Sequence, residues 1–91
     1  MPKFQIDYDK KAKKDLKKLM KDKKLLAKAV EIIDEISEDP YSTTHKFEHL
    51  KYNLSGFCSK QLDKKNRIVY RVIDDLVVVV MISVLGHYDD K

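Results

Sequence analysis

The chain has 91 residues, 43% of them hydrophobic, and a formal net charge of +4. That length allows one modest core, because a domain of this size buries only about 60–65% of its unfolded surface, and the apolar fraction argues against disorder. The single cysteine, Cys58, excludes a disulfide framework and fits a reducing compartment, so a cytoplasmic location and one domain over residues 1–91 are expected.

Phe4, Ile6 and Tyr8 alternate with polar residues and predict a first strand. Asp9 is placed to cap a helix from Lys10 to about Met20, whose apolar stripe of Ala12, Leu16, Leu19 and Met20 is too narrow for deep burial. Asp22 is placed to cap a second helix, Lys23 to Glu38, with a wider stripe: Leu25, Leu26, Ala29, Val30, Ile32, Ile33 and Ile36. Asp39-Pro40 must end it, since the residue before proline is driven out of the helical region. The two helices are expected to pair as a hairpin over one face of a sheet. Acids crowd the second helix's last turns, the unfavourable end for the helix dipole, and nothing local accounts for that.

Residues 41 to 45 read as loop. Leu50, Tyr52 and Leu54 alternate with polar residues, and Gly56 permits a turn or bulge. Phe57 to Leu62 reads as a short strand and Arg67 to Ile73 as a clear one, with Ile68, Tyr70 and Val72 on one face and Arg67, Val69 and Arg71 on the other. Asp74-Asp75 predicts a tight hairpin turn. Leu76 to Leu85 is apolar on both faces, as a central strand is, and with Ser83 inside it is too short to span a bilayer. Met1-Pro2-Lys3 opens no signal peptide, and no membrane association is expected. The order β-α-α-β-β-β, with room for one more short strand, predicts an α+β fold: an N-terminal strand and helix hairpin packed on an antiparallel sheet.

Charge is segregated. Residues 10 to 28 hold ten lysines against Asp15 and Asp22, and residues 46 to 71 hold seven bases against Glu48 and Asp63. Two basic zones suit a polyanion or an acidic partner, although a lysine-rich helix face is often just solvated.

Within the second zone and just after it lie the residue types that cleave an RNA backbone without metal. Glu48 can take a proton and His87, with an ordinary pKa near neutrality, can give one. Arg67 offers a planar fork for phosphate oxygens, Lys51 a point charge, and Tyr88 a ring that can stack on an unpaired base. Each has a plainer reading. By residue type alone Glu48 is more readily a surface acid, Arg67 can pair with Asp63, and His87 and Tyr88 can be structural. His45 and His49 are four apart, but in a stretch read as loop and strand, so no metal or other cofactor is expected. With only Gly56 and Gly86 available, no glycine-rich phosphate loop can form. Cys58, without a cysteine partner and inside a predicted strand, reads as an inert thiol.

The segment Glu48-His49-Leu50-Lys51-Tyr52-Asn53-Leu54-Ser55-Gly56-Phe57-Cys58-Ser59, then Asn66-Arg67-Ile68-Val69-Tyr70 and the His87-Tyr88 ending, resembles the YoeB/Txe toxins of the RelE/ParE toxin–antitoxin superfamily. The first half of the chain agrees only in its strand–helix–helix order. The resemblance implies a RelE-like, microbial-ribonuclease-like fold and a ribosome-dependent mRNA endonuclease neutralised by a cognate antitoxin. It implies Glu48 as general base, Arg67 as the phosphate-stabilising arginine, His87 as general acid, Tyr88 as the terminal tyrosine and Lys51 as a lysine of the same site. Where the family has a tryptophan and two arginines, this chain has Cys58, Lys60 and Gln61; His49 replaces a proline, and Asp89-Asp90-Lys91 follows the tyrosine. Lys60 and Arg71 are then the cations expected to meet substrate, Arg71 compensating for Gln61.

Partners implied are the antitoxin, the ribosome and mRNA, operator DNA as a toxin–antitoxin complex, and a second copy of the chain as an option. Two other readings stay open: a gyrase-inhibiting toxin of the ParE branch, which has no need of the Glu–Arg–His set, and a non-catalytic module that binds antitoxin and operator.

Overall fold

A computed structural model of the chain describes residues 4–52 and 55–82. Leu54, Gly86, His87, Tyr88 and the end of the apolar run lie outside the described residues. The elements are β1 (Gln5–Tyr8), α1 (Lys10–Leu19), α2 (Lys23–Glu38), β2 (Glu48–His49), β3 (Phe57–Gln61), β4 (Arg67–Ile73) and β5 (Leu76–Met81). The five strands form one sheet in the order β1-β5-β4-β3-β2, and both helices pack on it, giving the expected α+β architecture.

One feature of the sheet differs from an all-antiparallel arrangement. β1 runs parallel to β5, from Gln5 opposite Leu76 to Tyr8 opposite Val79, while every other pair is antiparallel. Parallel neighbours need a long connection, which the helices and the β2–β4 meander supply.

Helix boundaries follow local chemistry. The Asp22 carboxylate accepts the Leu25 N–H at 3.1 Å and starts α2; Asp39, extended at φ −154° before Pro40, ends it. Asp9 stands at the start of α1 without using its side chain; its backbone N–H instead donates to the Val79 carbonyl at 2.8 Å, tying the helix to β5. The core between helices and sheet gathers Ala12, Leu19, Ala29, Ile32, Ile33 and Ile36 against Cys58, Leu62, Ile68, Tyr70, Val77 and Val79. Val30, expected in the stripe of α2, is 57% exposed, because the wide stripe extends past the area the sheet can cover.

A bulge between β4 and β5 shifts the register: Val69 faces Met81 whereas Tyr70 faces Val79, so Val80 is the extra residue. The bulge reverses side-chain parity along β5. Val77 and Val79 face the helices, and after the bulge Ile82 does too. Val80 and Met81 join Leu50, Phe57 and Val69 in a small second cluster. By strand alternation Val69 faces away from Ile68 and Tyr70, so this cluster lies on the sheet face opposite the helices.

Tyr70 fastens the sheet to the end of α2. It is fully buried, and its hydroxyl donates to the Pro40 carbonyl at 2.6 Å. Burial, reinforced by nearby negative groups, pushes its pKa far above the ordinary 10.0. The folded protein therefore keeps a proton that the unfolded chain releases, so stability present below pH 10.0 is lost as pH rises past it. Tyr70→Phe is expected to lose about 1–3 kcal/mol at neutral pH, from the orphaned carbonyl, yet to decline less steeply in alkali by about 1.4 kcal/mol per pH unit. Urea unfolding of parent and variant across that range measures both.

Candidate active site

Glu48 and Arg67 meet although 19 positions separate them in the sequence. Glu48 opens β2, the two-residue strand at the sheet edge, and lies opposite Ser59 of β3; Arg67 opens β4 opposite Gln61. Ser59 shares the face of Phe57 and Gln61, away from the helices, and the two charged side chains converge over it. The Glu48 carboxylate Oε1 lies 3.3 Å from Arg67 Nη1, and the same nitrogen donates to Ser59 Oγ at 3.3 Å. Glu48 is half exposed and Arg67 partly so, which makes the pair worth at most about 1 kcal/mol to folding. Its interest is chemical: a carboxylate that can accept a proton is held beside a cation that can accept a phosphate oxygen.

The other candidates divide. Arg71 shares the strand and face of Arg67, is exposed, and lies 5.5 Å from the centre of the Phe57 ring, opposite which it pairs in the sheet. Four residues of strand separate the two arginines by about 13 Å, too far for both to grip one phosphate. Lys51 is exposed two residues after β2. His87 and Tyr88 lie outside the described residues, as does the acidic tail after them.

Lys60 is corrected. It was expected to meet substrate, but its side chain points to the helix face and is 0% exposed. Its ammonium donates to the carbonyls of Ser42 (2.7 Å) and Thr44 (2.9 Å) and to the hydroxyls of both, each at 3.1 Å. Alternation explains the placement: Ser59 and Gln61 face the Arg67 side, so Cys58, Lys60 and Leu62 face the helices. Burial lowers the pKa of this ammonium, and the Glu35 carboxylate, 3.7 Å away, opposes the shift.

Glu35 also explains an acid in the last turns of α2 that had no local reason. Its Oε1 accepts the Thr44 hydroxyl and lies 3.7 Å from His45 Nε2. His49 turns elsewhere: its Nδ1 is 3.7 Å from Cys58 Sγ, and its ring stacks on Tyr41 with centroids 6.1 Å apart. Among the described residues no group of three or more His, Cys, Asp or Glu side chains is placed to hold a metal ion. Cys58 is buried, and burial raises its thiol pKa against the opposing pull of Lys60, so it keeps its proton and is a poor nucleophile.

Two participants escaped the sequence reading. Ser59, which steadies Arg67, could have been found from the parity of β3. The turn before β2 could not: His45 and Lys46 both take left-handed backbone, φ 54° and 53°, at a cost of about 1–2 kcal/mol each for residues with a Cβ. Tyr52, expected in an alternating strand, is also left-handed at φ 58°, so the extended strand is not continued through it.

With the geometry in place, comparison with known proteins is decisive. Residues 8–88 match the family of YoeB-like toxins of bacterial type II toxin–antitoxin systems. The chain belongs to that family. Toxin YoeB of Mycobacterium bovis is 39% identical over 70 residues, covering 77% of this chain and 80% of that one. Toxin YoeB of Synechocystis is 41% identical over 68 residues, 74% of this chain and 76% of its own. Among solved structures, the Staphylococcus aureus YoeB–YefM toxin–antitoxin heterotetramer includes a chain that superposes with a TM-score of 0.80 at 29% identity, covering 93% of this chain and 98% of that one. The same organism's YoeB dimer superposes at 0.81 with 28% identity, over 94% of this chain and 99% of the other. As a YoeB-like toxin, the chain keeps the family's α+β fold. None of its described helices is long and apolar enough to cross a membrane.

Proposed function

We propose that this YoeB-like toxin is an mRNA endoribonuclease that works on the ribosome in the cytoplasm and cleaves the RNA backbone by acid–base chemistry without a metal. The observation that carries the reading is the meeting of Glu48 and Arg67 over Ser59 on the face of the sheet not covered by helices. In this reading Glu48 takes the proton of a ribose 2′-hydroxyl. The 2′-oxygen attacks the adjacent phosphorus, and Arg67 stabilises the charge that builds on the phosphorane. The bond to the 5′-oxygen breaks and His87 protonates that leaving oxygen, giving a 2′,3′-cyclic phosphate and a 5′-hydroxyl. Tyr88 stacks on or hydrogen-bonds the substrate, while Lys51 and Arg71 hold flanking phosphates. Lys60, which is buried, has no part in substrate contact in this reading.

The solved relatives also support protein partners. One was solved with the antitoxin YefM and one as a dimer, so a cognate antitoxin that neutralises this chain, and binds operator DNA with it, belongs to the proposal, with self-association as a further state.

Induction in bacteria without an antitoxin is expected to arrest growth and fragment translated mRNA, leaving untranslated RNA whole. Glu48→Ala and His87→Ala are expected to relieve both effects. Intact mRNA together with trapped DNA breaks would point to gyrase instead.

A further inference from the structure

We propose that Lys60 is a positioning residue that holds the general base Glu48 in place from the opposite side of β3. The inference rests on the reading of Glu48 given above and adds a residue that never touches RNA.

A two-residue edge strand has little power to fix itself. β2 pairs as Glu48 with Ser59 and His49 with Cys58, with one further backbone bond from the Leu50 N–H to the Phe57 carbonyl. Before it runs a loop containing two successive left-handed residues, His45 and Lys46, neither of them glycine. Such backbone persists only where its surroundings over-determine it. Here they do. The Lys60 ammonium gathers the carbonyls and hydroxyls of Ser42 and Thr44. The Gln61 N–H donates to the His45 carbonyl at 2.7 Å, and the Phe47 N–H to Thr44 at 3.2 Å. Glu35 takes the Thr44 hydroxyl from the other side. The Phe47 ring, adjacent to Glu48, lies 5.3 Å from the same ammonium.

Strand geometry turns this into a division of labour. Ser59 steadies Arg67 on one face of β3, and the next residue steadies the approach to Glu48 from the other. A fully buried lysine is rare unless its charge is used. Its four short contacts all go to the loop that delivers Glu48, and catalytic geometry tolerates little displacement.

The test compares the parent with Lys60→Met, Glu35→Gln and Glu48→Ala as full-length protein acting on ribosome-bound mRNA. Lys60→Met keeps the length and removes the ammonium. Assayed below its melting temperature, it is expected to lose ten- to a hundredfold in kcat with KM within twofold of parent, together with faster amide exchange at Gln61. Glu35→Gln, a milder cut at the same loop, is expected to show the same split at two- to fivefold, and it decides the matter if Lys60→Met does not fold. Folded Lys60→Met with parental kcat, or a change confined to melting temperature, overturns the inference. If Glu48→Ala cleaves as fast as parent, the reading of Glu48 as general base is what fails, and the role of Lys60 goes with it.

Discussion

Glu48→Ala is expected to slow RNA cleavage by about 10²- to 10⁴-fold, the usual worth of a positioned proton acceptor. The loss should fall on the chemical step. The carboxylate is on the sheet edge and half exposed, so its removal leaves no buried cavity and breaks an ion pair of small energetic value. Melting temperature and antitoxin affinity should therefore stay near parental values, and single-turnover cleavage of ribosome-bound mRNA measures the kinetic effect. Glu48→Gln keeps the shape and a hydrogen bond to Arg67 but cannot accept the proton, so it should be nearly as slow. Arg67→Lys is a separate expectation. A point charge replaces the planar fork, so both the contact to Ser59 and two-pronged grip on phosphate weaken, and the rate falls by an intermediate amount.

The largest effect on folding is expected at Asp15. This carboxylate is buried on α1; it accepts the Ile82 N–H at 3.1 Å and the Lys11 ammonium at 2.7 Å. Ile82 follows β5 directly, so Asp15 fastens the end of that strand to the helix layer. Asp15→Ala leaves a buried N–H without its acceptor and opens space in a packed layer, at about 2–4 kcal/mol. For a domain whose total stability is on the order of 5–15 kcal/mol that is a large share, and Tm should fall by roughly 10–20 °C. Asp15→Asn retains an oxygen for the Ile82 N–H and should lose about half as much. Lys11→Met should cost less than about 1 kcal/mol, because the lysine is exposed and its end of the pair is easily resolvated. Thermal melts of the three variants rank these effects.

Asp15 also marks where sequence reading falls short. It lies three residues after Ala12 and four before Leu19, squarely on the buried stripe, but in a lysine-rich helix it reads as a counter-charge. Elements with strong local signals were legible. α2 runs from Lys23 to Glu38 as Asp22 and Asp39-Pro40 require, and β4 runs from Arg67 to Ile73 as its alternation requires. What depends on distant pairing was not. The parallel joining of β1 to β5, the bulge at Val80 and the shortness of β2 are settled by neighbours far away in the chain. For the site, residue chemistry together with family resemblance singled out Glu48 and Arg67, which the fold brings into contact. The same resemblance made Lys60 a substrate cation because it stands at an arginine position. The parity of β3, with hydrophobic Cys58 and Leu62 on the same side, carried the better signal.

Glu48 and Arg67 are expected to act together on one phosphodiester. Single-turnover cleavage of ribosome-bound mRNA by Glu48→Ala, Arg67→Ala and the double variant tests this most directly, since residues working as a unit show strongly non-additive losses. The expected result is a double variant scarcely slower than the slower single one. Losses that multiply independently, or a parental rate in either single variant, would contradict it.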